Sequence, residues 1–118
     1  MVLSTIRMKI PPKKHAEVLR ILKAIAEQNR VRRGCLGCWI YKDAEEDDVI
    51  KYEEMWKSEE ELKSRLQSSE YNKVLLVAEM ALQNPEIRFN TITRQSGIEA
   101  IERARSSTQA RTPVLPDM

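Results

Sequence analysis

Apolar and polar residues alternate from the start of the chain: Val2, Ser4, Ile6, Met8 and Ile10 fall on one side of an extended segment, with Leu3, Thr5, Arg7 and Lys9 on the other. Period-two alternation of this length predicts a half-buried strand, ended by Pro11-Pro12. From Lys14 to Asn29 the period lengthens to that of a helix. Val18, Leu19, Leu22, Ile25 and Ala26 make an apolar stripe opposite Glu17, Arg20, Lys23 and Glu27, and such a stripe needs a sheet to cover. Gly34 closes a basic turn, and a second strand runs from Cys35 through Tyr41 into the acidic stretch Asp43 to Asp48. That stretch reads as a solvated hairpin loop rather than a metal site.

Val49 to Trp56 alternates again, with Ile50, Tyr52, Glu54 and Trp56 on one face and Val49, Lys51, Glu53 and Met55 on the other. Ser58 stands three residues before Glu61, a capping-box spacing, with Glu59 and Glu60 suited to the positive end of a helix dipole. A helix therefore begins near Glu59, breaks or bends at Ser68-Ser69, and resumes through Val74, Leu75, Val77, Ala78, Ala81 and Leu82 until Asn84-Pro85. Glu86 to Arg94 is the fourth strand. The order strand, helix, strand, strand, helix, strand predicts an α+β, ferredoxin-like βαββαβ domain over residues 1–95, with four antiparallel strands and both helices on one face. The other face is left open, and Trp39 and Tyr41 share a side of the second strand, so a homodimer that covers it is expected. Residues 96–118 form an extension, read as a short helix from Ile98 to Arg105 and then a mobile tail or one laid across a neighbour.

Length and charge narrow the function classes. A chain of 118 residues suffices for one self-supporting domain, and 20 basic against 18 acidic residues, interleaved, make no one-signed surface for nucleic acid. No apolar run approaches the roughly 20 residues of a membrane-spanning helix, and no signal-peptide pattern opens the chain, so a cytoplasmic protein is expected. The two cysteines, Cys35 and Cys38, lie three apart in a predicted strand. A regular strand points them to opposite faces, which argues for reduced packing residues over a dithiol, and without a second ligand pair no metal is expected.

The segment from Glu54 onward resembles the antibiotic biosynthesis monooxygenase family of dimeric α+β barrels, with a likeness spanning Val2 to Arg94. Glu54-Met55-Trp56 is similar to the family's acidic residue, any residue, tryptophan at the end of its third strand. Ser58-Glu-Glu-Glu-Leu62 is similar to its helix opening, and Leu66, Ser68 and Tyr71 match its later leucine, serine and aromatic positions. Gly34-Cys35-Leu36 resembles its turn into the second strand. Two positions depart from the pattern: Arg65 stands where the family often has a histidine, and Cys38 replaces its usual aromatic residue. Arginine stays charged and is no general base. The asparagine, tryptophan and histidine of the haem-degrading relatives are also missing, so haem degradation is disfavoured.

The resemblance implies oxygen insertion into an electron-rich phenol or quinol with no cofactor, since the deprotonated substrate itself passes an electron to dioxygen. The candidate ligand-binding residues are Glu54, Trp56, Arg65 and Tyr71: Arg65 to hold a phenolate or carboxylate, Trp56 as an apolar wall, Tyr71 at the entrance, and Glu54 as a proton acceptor if buried. Each has a plainer reading. Arg65 stands four residues after Glu61, the spacing of a surface ion pair; Trp56 and Tyr52 at period two suit a core; His15, among lysines, suits solvent. The alternatives to an enzyme are a binding module that holds an aromatic or carboxylate ligand, and a regulatory dimer whose cavity is filled by its own side chains.

Overall fold

The computed structural model describes residues 1–111. β1 (Val2–Lys9) leads through one 3-10 turn (Pro12–Lys14) into α1 (His15–Arg30), followed by β2 (Cys35–Lys42), β3 (Val49–Trp56), α2 (Glu59–Gln67), α3 (Tyr71–Ala78), β4 (Glu86–Thr91) and α4 (Ile98–Arg111). The strands form one antiparallel sheet in the order β2-β3-β1-β4. This is the ferredoxin-like arrangement the alternation predicts. β1 and β3 are central, so the residues they point toward the helices are the deepest: Ile6, Met8, Ile50 and Tyr52 meet Val18 and Leu22 of α1 and Val74 and Val77 of α3. A smaller apolar cluster, Val2, Trp56 and Leu62, closes the other end beneath α2.

Local signals explain the boundaries. The hydroxyl of Ser58 accepts the Glu61 backbone N–H at 3.2 Å and caps α2, as the capping-box spacing predicts. Ser68 separates α2 from α3 and returns its hydroxyl to the Arg65 carbonyl at 2.7 Å. Gly34 takes φ +87°, a conformation open to glycine at low cost, and this turn aims the chain from α1 into β2.

The structure corrects several expectations. α3 ends at Ala78 rather than running through Leu82, β4 ends at Thr91, and α4 continues past Arg105 to Arg111. The expected tail beyond Arg111 lies outside the described residues. His15 is buried, not solvated, because its Nε2 donates to the Ile10 carbonyl at 2.7 Å and ties α1 to the end of β1. The largest correction concerns the cysteines. A β-bulge sets Cys35 opposite Trp56 and Gly37 opposite Met55, leaving Leu36 as the extra residue. This shift of phase puts Cys35 and Cys38 on the same side, with their Sγ atoms 3.9 Å apart. Gly37 lets the Trp39 ring lie close over the backbone there, since a Cβ would sit 2.5 Å from that ring.

Candidate ligand site

Alternation along β3 puts Tyr52, Glu54 and Trp56 on the helix side of a central strand, and the two aromatic residues converge on the carboxylate between them. Glu54, 1% exposed, receives the Tyr52 hydroxyl at 2.5 Å on Oε2 and the Trp56 indole N–H at 3.1 Å on Oε1. Arg65 of α2 completes the set with a bidentate pair, Nε to Oε1 at 3.1 Å and Nη2 to Oε2 at 2.8 Å. A desolvated carboxylate is tolerable in such a place only when its lone pairs are met, and here donors approach both oxygens twice. Tyr71, at the start of α3, lays its ring 5.2 Å from the guanidinium carbon of Arg65.

The electrostatics follow from burial and that charge. Burial works to lower the pKa of Arg65, but the hydrogen bonds and charge of Glu54 outweigh it and the pKa rises from its ordinary value. Burial, reinforced by the Glu54 charge, pushes the Tyr71 phenol up to about 12 and raises Tyr52 further. Neither tyrosine is an acid near neutrality.

Behind Tyr52 the polar network continues. Cys38 Sγ lies 3.9 Å from the Tyr52 hydroxyl and accepts from Asn29 Nδ2 at 2.9 Å. Asn29, 1% exposed, leaves its Oδ1 buried without a partner. This asparagine opens onto a cleft of about 230 Å³ between α1 and the α2–α3 corner, lined by Ile25, Gln28, Asn29, Arg32, Arg65, Glu70 and Lys73. Arg32 pairs with Glu70 at 3.5 Å and Arg65 with Glu54, which among the described residues leaves Lys73 as the surplus cation of the cleft. Hydrogen bonding from its own backbone N–H and the charge of Arg32 hold the Glu70 carboxyl below the usual range.

All four residues singled out in the sequence therefore meet. Glu54, Trp56 and Tyr71 fill the space between sheet and helices, and Arg65 alone of the four also lines the cleft. Its partner is Glu54 in the core rather than Glu61 on the helix surface. The sequence reading missed Asn29, Arg32 and Lys73. Asn29 did carry a signal, because it continues the stripe of Val18, Leu22 and Ile25 with a polar residue at a buried position. Arg32 and Lys73 carry none, since nothing local distinguishes them from other surface cations. Among the described residues no group of three metal-ligating side chains occurs.

Residues 1–75 match the sequence model of the antibiotic biosynthesis monooxygenase family. Solved structures share the fold at low identity. A Deinococcus radiodurans protein provisionally named an antibiotic biosynthesis monooxygenase superposes with a TM-score of 0.74 at 17% identity, over 83% of this chain and 98% of that one. Its Caulobacter crescentus counterpart gives 0.71 at 19% identity, over 79% and 90% of the two chains. A conserved Methanosarcina mazei protein gives 0.69 at 21% identity, over 75% and 89%. No curated protein matches the chain. With the family's sequence model spanning more than half its length and its buried acidic-aromatic strand end in place, the chain belongs to the antibiotic biosynthesis monooxygenase family.

Proposed function

We propose that this protein binds a small aromatic molecule bearing an acidic hydroxyl or a carboxylate in the cleft beside Arg65, and that a bound phenol or quinol is oxygenated there without a cofactor. The observation that carries the reading is a cleft bordered by Arg65, itself held by Glu54, in which Arg32 and Lys73 outnumber the one lining carboxylate, Glu70. The anionic oxygen of the ligand faces Arg32 and Lys73, and its ring lies on Ile25. The cleft is smaller than the roughly 300–1,000 Å³ of pockets for drug-sized ligands, which suits a single ring. Oxygenation needs the substrate anion to give one electron to dioxygen and the two radicals to join at a ring carbon. The protein's part is to hold the anion and limit water.

A second reading has its own support. Donors occupy both oxygens of Glu54, so the best-placed carboxylate is not free to take a proton, and this favours a binding module over an enzyme. Oxygen uptake with a panel of hydroquinones and phenolic acids, alongside calorimetric binding, separates the two. Uptake above the spontaneous rate supports oxygenation; saturable binding without uptake supports the module; neither overturns both. Lys73→Ala and Arg32→Ala each weaken binding about tenfold if the cleft is the site. A homodimer formed through the open sheet face is part of the same proposal, supported by half-exposed Trp39 and Tyr41 beside Leu3 and Met55. A cytoplasmic location fits two cysteines kept as thiols.

A further inference from the structure

The bulge that brings Cys35 and Cys38 together has a chemical consequence that the fold does not require. Their Sγ atoms stand 3.9 Å apart with no side chain between them, one thiol at the margin of the core and the other sealed within it. Asn29 Nδ2 reaches both sulfurs, at 2.9 Å to Cys38 and 3.7 Å to Cys35, so the same amide that borders the cleft also holds the thiol pair. A disulfide needs the sulfurs to close to about 2.05 Å. Gly37 lies between the cysteines at the irregular point of β2, where the ladder is already interrupted and the backbone has room to adjust.

We propose that Cys35 and Cys38 are a redox-active dithiol that hydrogen peroxide converts to an intramolecular disulfide. Cys35, the more accessible sulfur, attacks the peroxide as thiolate; its S–O bond forms as the O–O bond breaks, and the departing oxygen leaves as water after taking a proton. Cys38 then attacks the sulfenic sulfur, the S–S bond forms, the S–O bond breaks, and a second water departs with the Cys38 proton. One peroxide is reduced and two thiols are oxidised, with nothing left over. The order of attack follows from burial, which with the neighbouring Cys35 and Glu54 charges pushes the Cys38 thiol up to about 11 against the opposing Asn29 hydrogen bond. In the disulfide, Cys38 has no S–H to offer the Tyr52 hydroxyl and its sulfur is a poorer acceptor for the Asn29 Nδ2–H, so oxidation alters the amide at the edge of the cleft. This dithiol chemistry does not depend on what the cleft binds.

The test is titration of the reduced, full-length protein with one equivalent of hydrogen peroxide, followed by thiol counting under denaturing conditions and mass spectrometry of the peptides. Both thiols of the chain should be lost, with two hydrogens lost from one peptide linking Cys35 to Cys38, and dithiothreitol should restore them. Cys35→Ser should leave Cys38 a free thiol under the same treatment. Cys38→Ser replaces a sealed core residue, so its folding is checked by circular dichroism; if folded, it should stop at a Cys35 sulfenic acid trapped by dimedone. Two thiols surviving, a disulfide between chains, or a Cys35 sulfinic acid beside an intact Cys38 thiol would each overturn the proposal.

Discussion

Glu54 and Arg65 form the kind of buried pair whose value depends on both partners being present. Each loses most of its hydration, and the mutual attraction with the Tyr52 and Trp56 hydrogen bonds offsets that loss. Removing the cation alone strands a carboxylate in the core. Arg65→Ala is therefore expected to destabilise the fold by about 3–5 kcal/mol in urea unfolding. The double variant Glu54→Leu with Arg65→Met should recover only part of that, since it removes both charges but leaves the Tyr52 and Trp56 donors without an acceptor; a single-variant loss below about 1 kcal/mol would mean that the pair is solvated. Sequence alone placed Glu54 between two aromatics on an inward strand face and Arg65 beside the apolar stripe of α2. It did not say that the two would choose each other, because that requires the distance between a strand residue and a helix residue eleven positions apart in sequence.

At the scale of elements, Arg65 is aimed by the way α2 starts and stops. The Ser58 cap sets the first turn, and Ser68 ends the helix one turn beyond Arg65. Ser58→Ala should cost about 1 kcal/mol, with Ser58→Gly milder, as read from the shift in the urea midpoint. A loss shared by binding in the cleft would show that the cap also positions the site. Gly34→Ala should cost about 1–2 kcal/mol, because the left-handed φ of +87° is strained for any residue with a Cβ and the added carbon meets the Glu61 side chain. The strands, the two helix starts and the break at Ser68-Ser69 were all legible from period and capping spacing. The β2 bulge was not, since Cys35 to Tyr41 carries no local mark that one residue will be looped out of register; Gly37 becomes a mark only once Trp39 is seen to lie over it.

Across the whole molecule, burial of titratable groups makes stability depend on alkaline pH. The folded state raises Cys38 from 9.0 to about 11 and Tyr71 from 10.0 to about 12, so both prefer their neutral, protonated forms when folded. Above pH 9 the unfolded chain gives up these protons first. The stabilisation is complete below about pH 9 and is lost as pH rises through about 11 to 12, by about 3 kcal/mol for each group. Urea midpoints from pH 7 to 11 check this: a flat profile would contradict it, and Cys38→Ala should remove the earlier part of the decline. The open sheet face makes a second demand at this scale. Light scattering at low micromolar concentration should report a dimer, and Trp39→Glu should shift it toward monomer; a wild-type monomer would leave that face without its proposed cover. α4 stands clear of the core, with Ile98 70% and Ile101 59% exposed.

By itself the sequence determined the order of strands and helices and the inward faces of β1, β3 and α1, and hence the class of the fold, because those depend on periodicities and caps carried within a dozen neighbouring residues. Tertiary structure decided what the inward polar residues do. It paired Arg65 with Glu54, buried Trp56 and Tyr71 around them, left a cleft beside Asn29, and turned Cys35 toward Cys38. Each of these depends on the position of one element against another, or on a single residue of register, and one residue of slip in a strand sends a side chain to the opposite face.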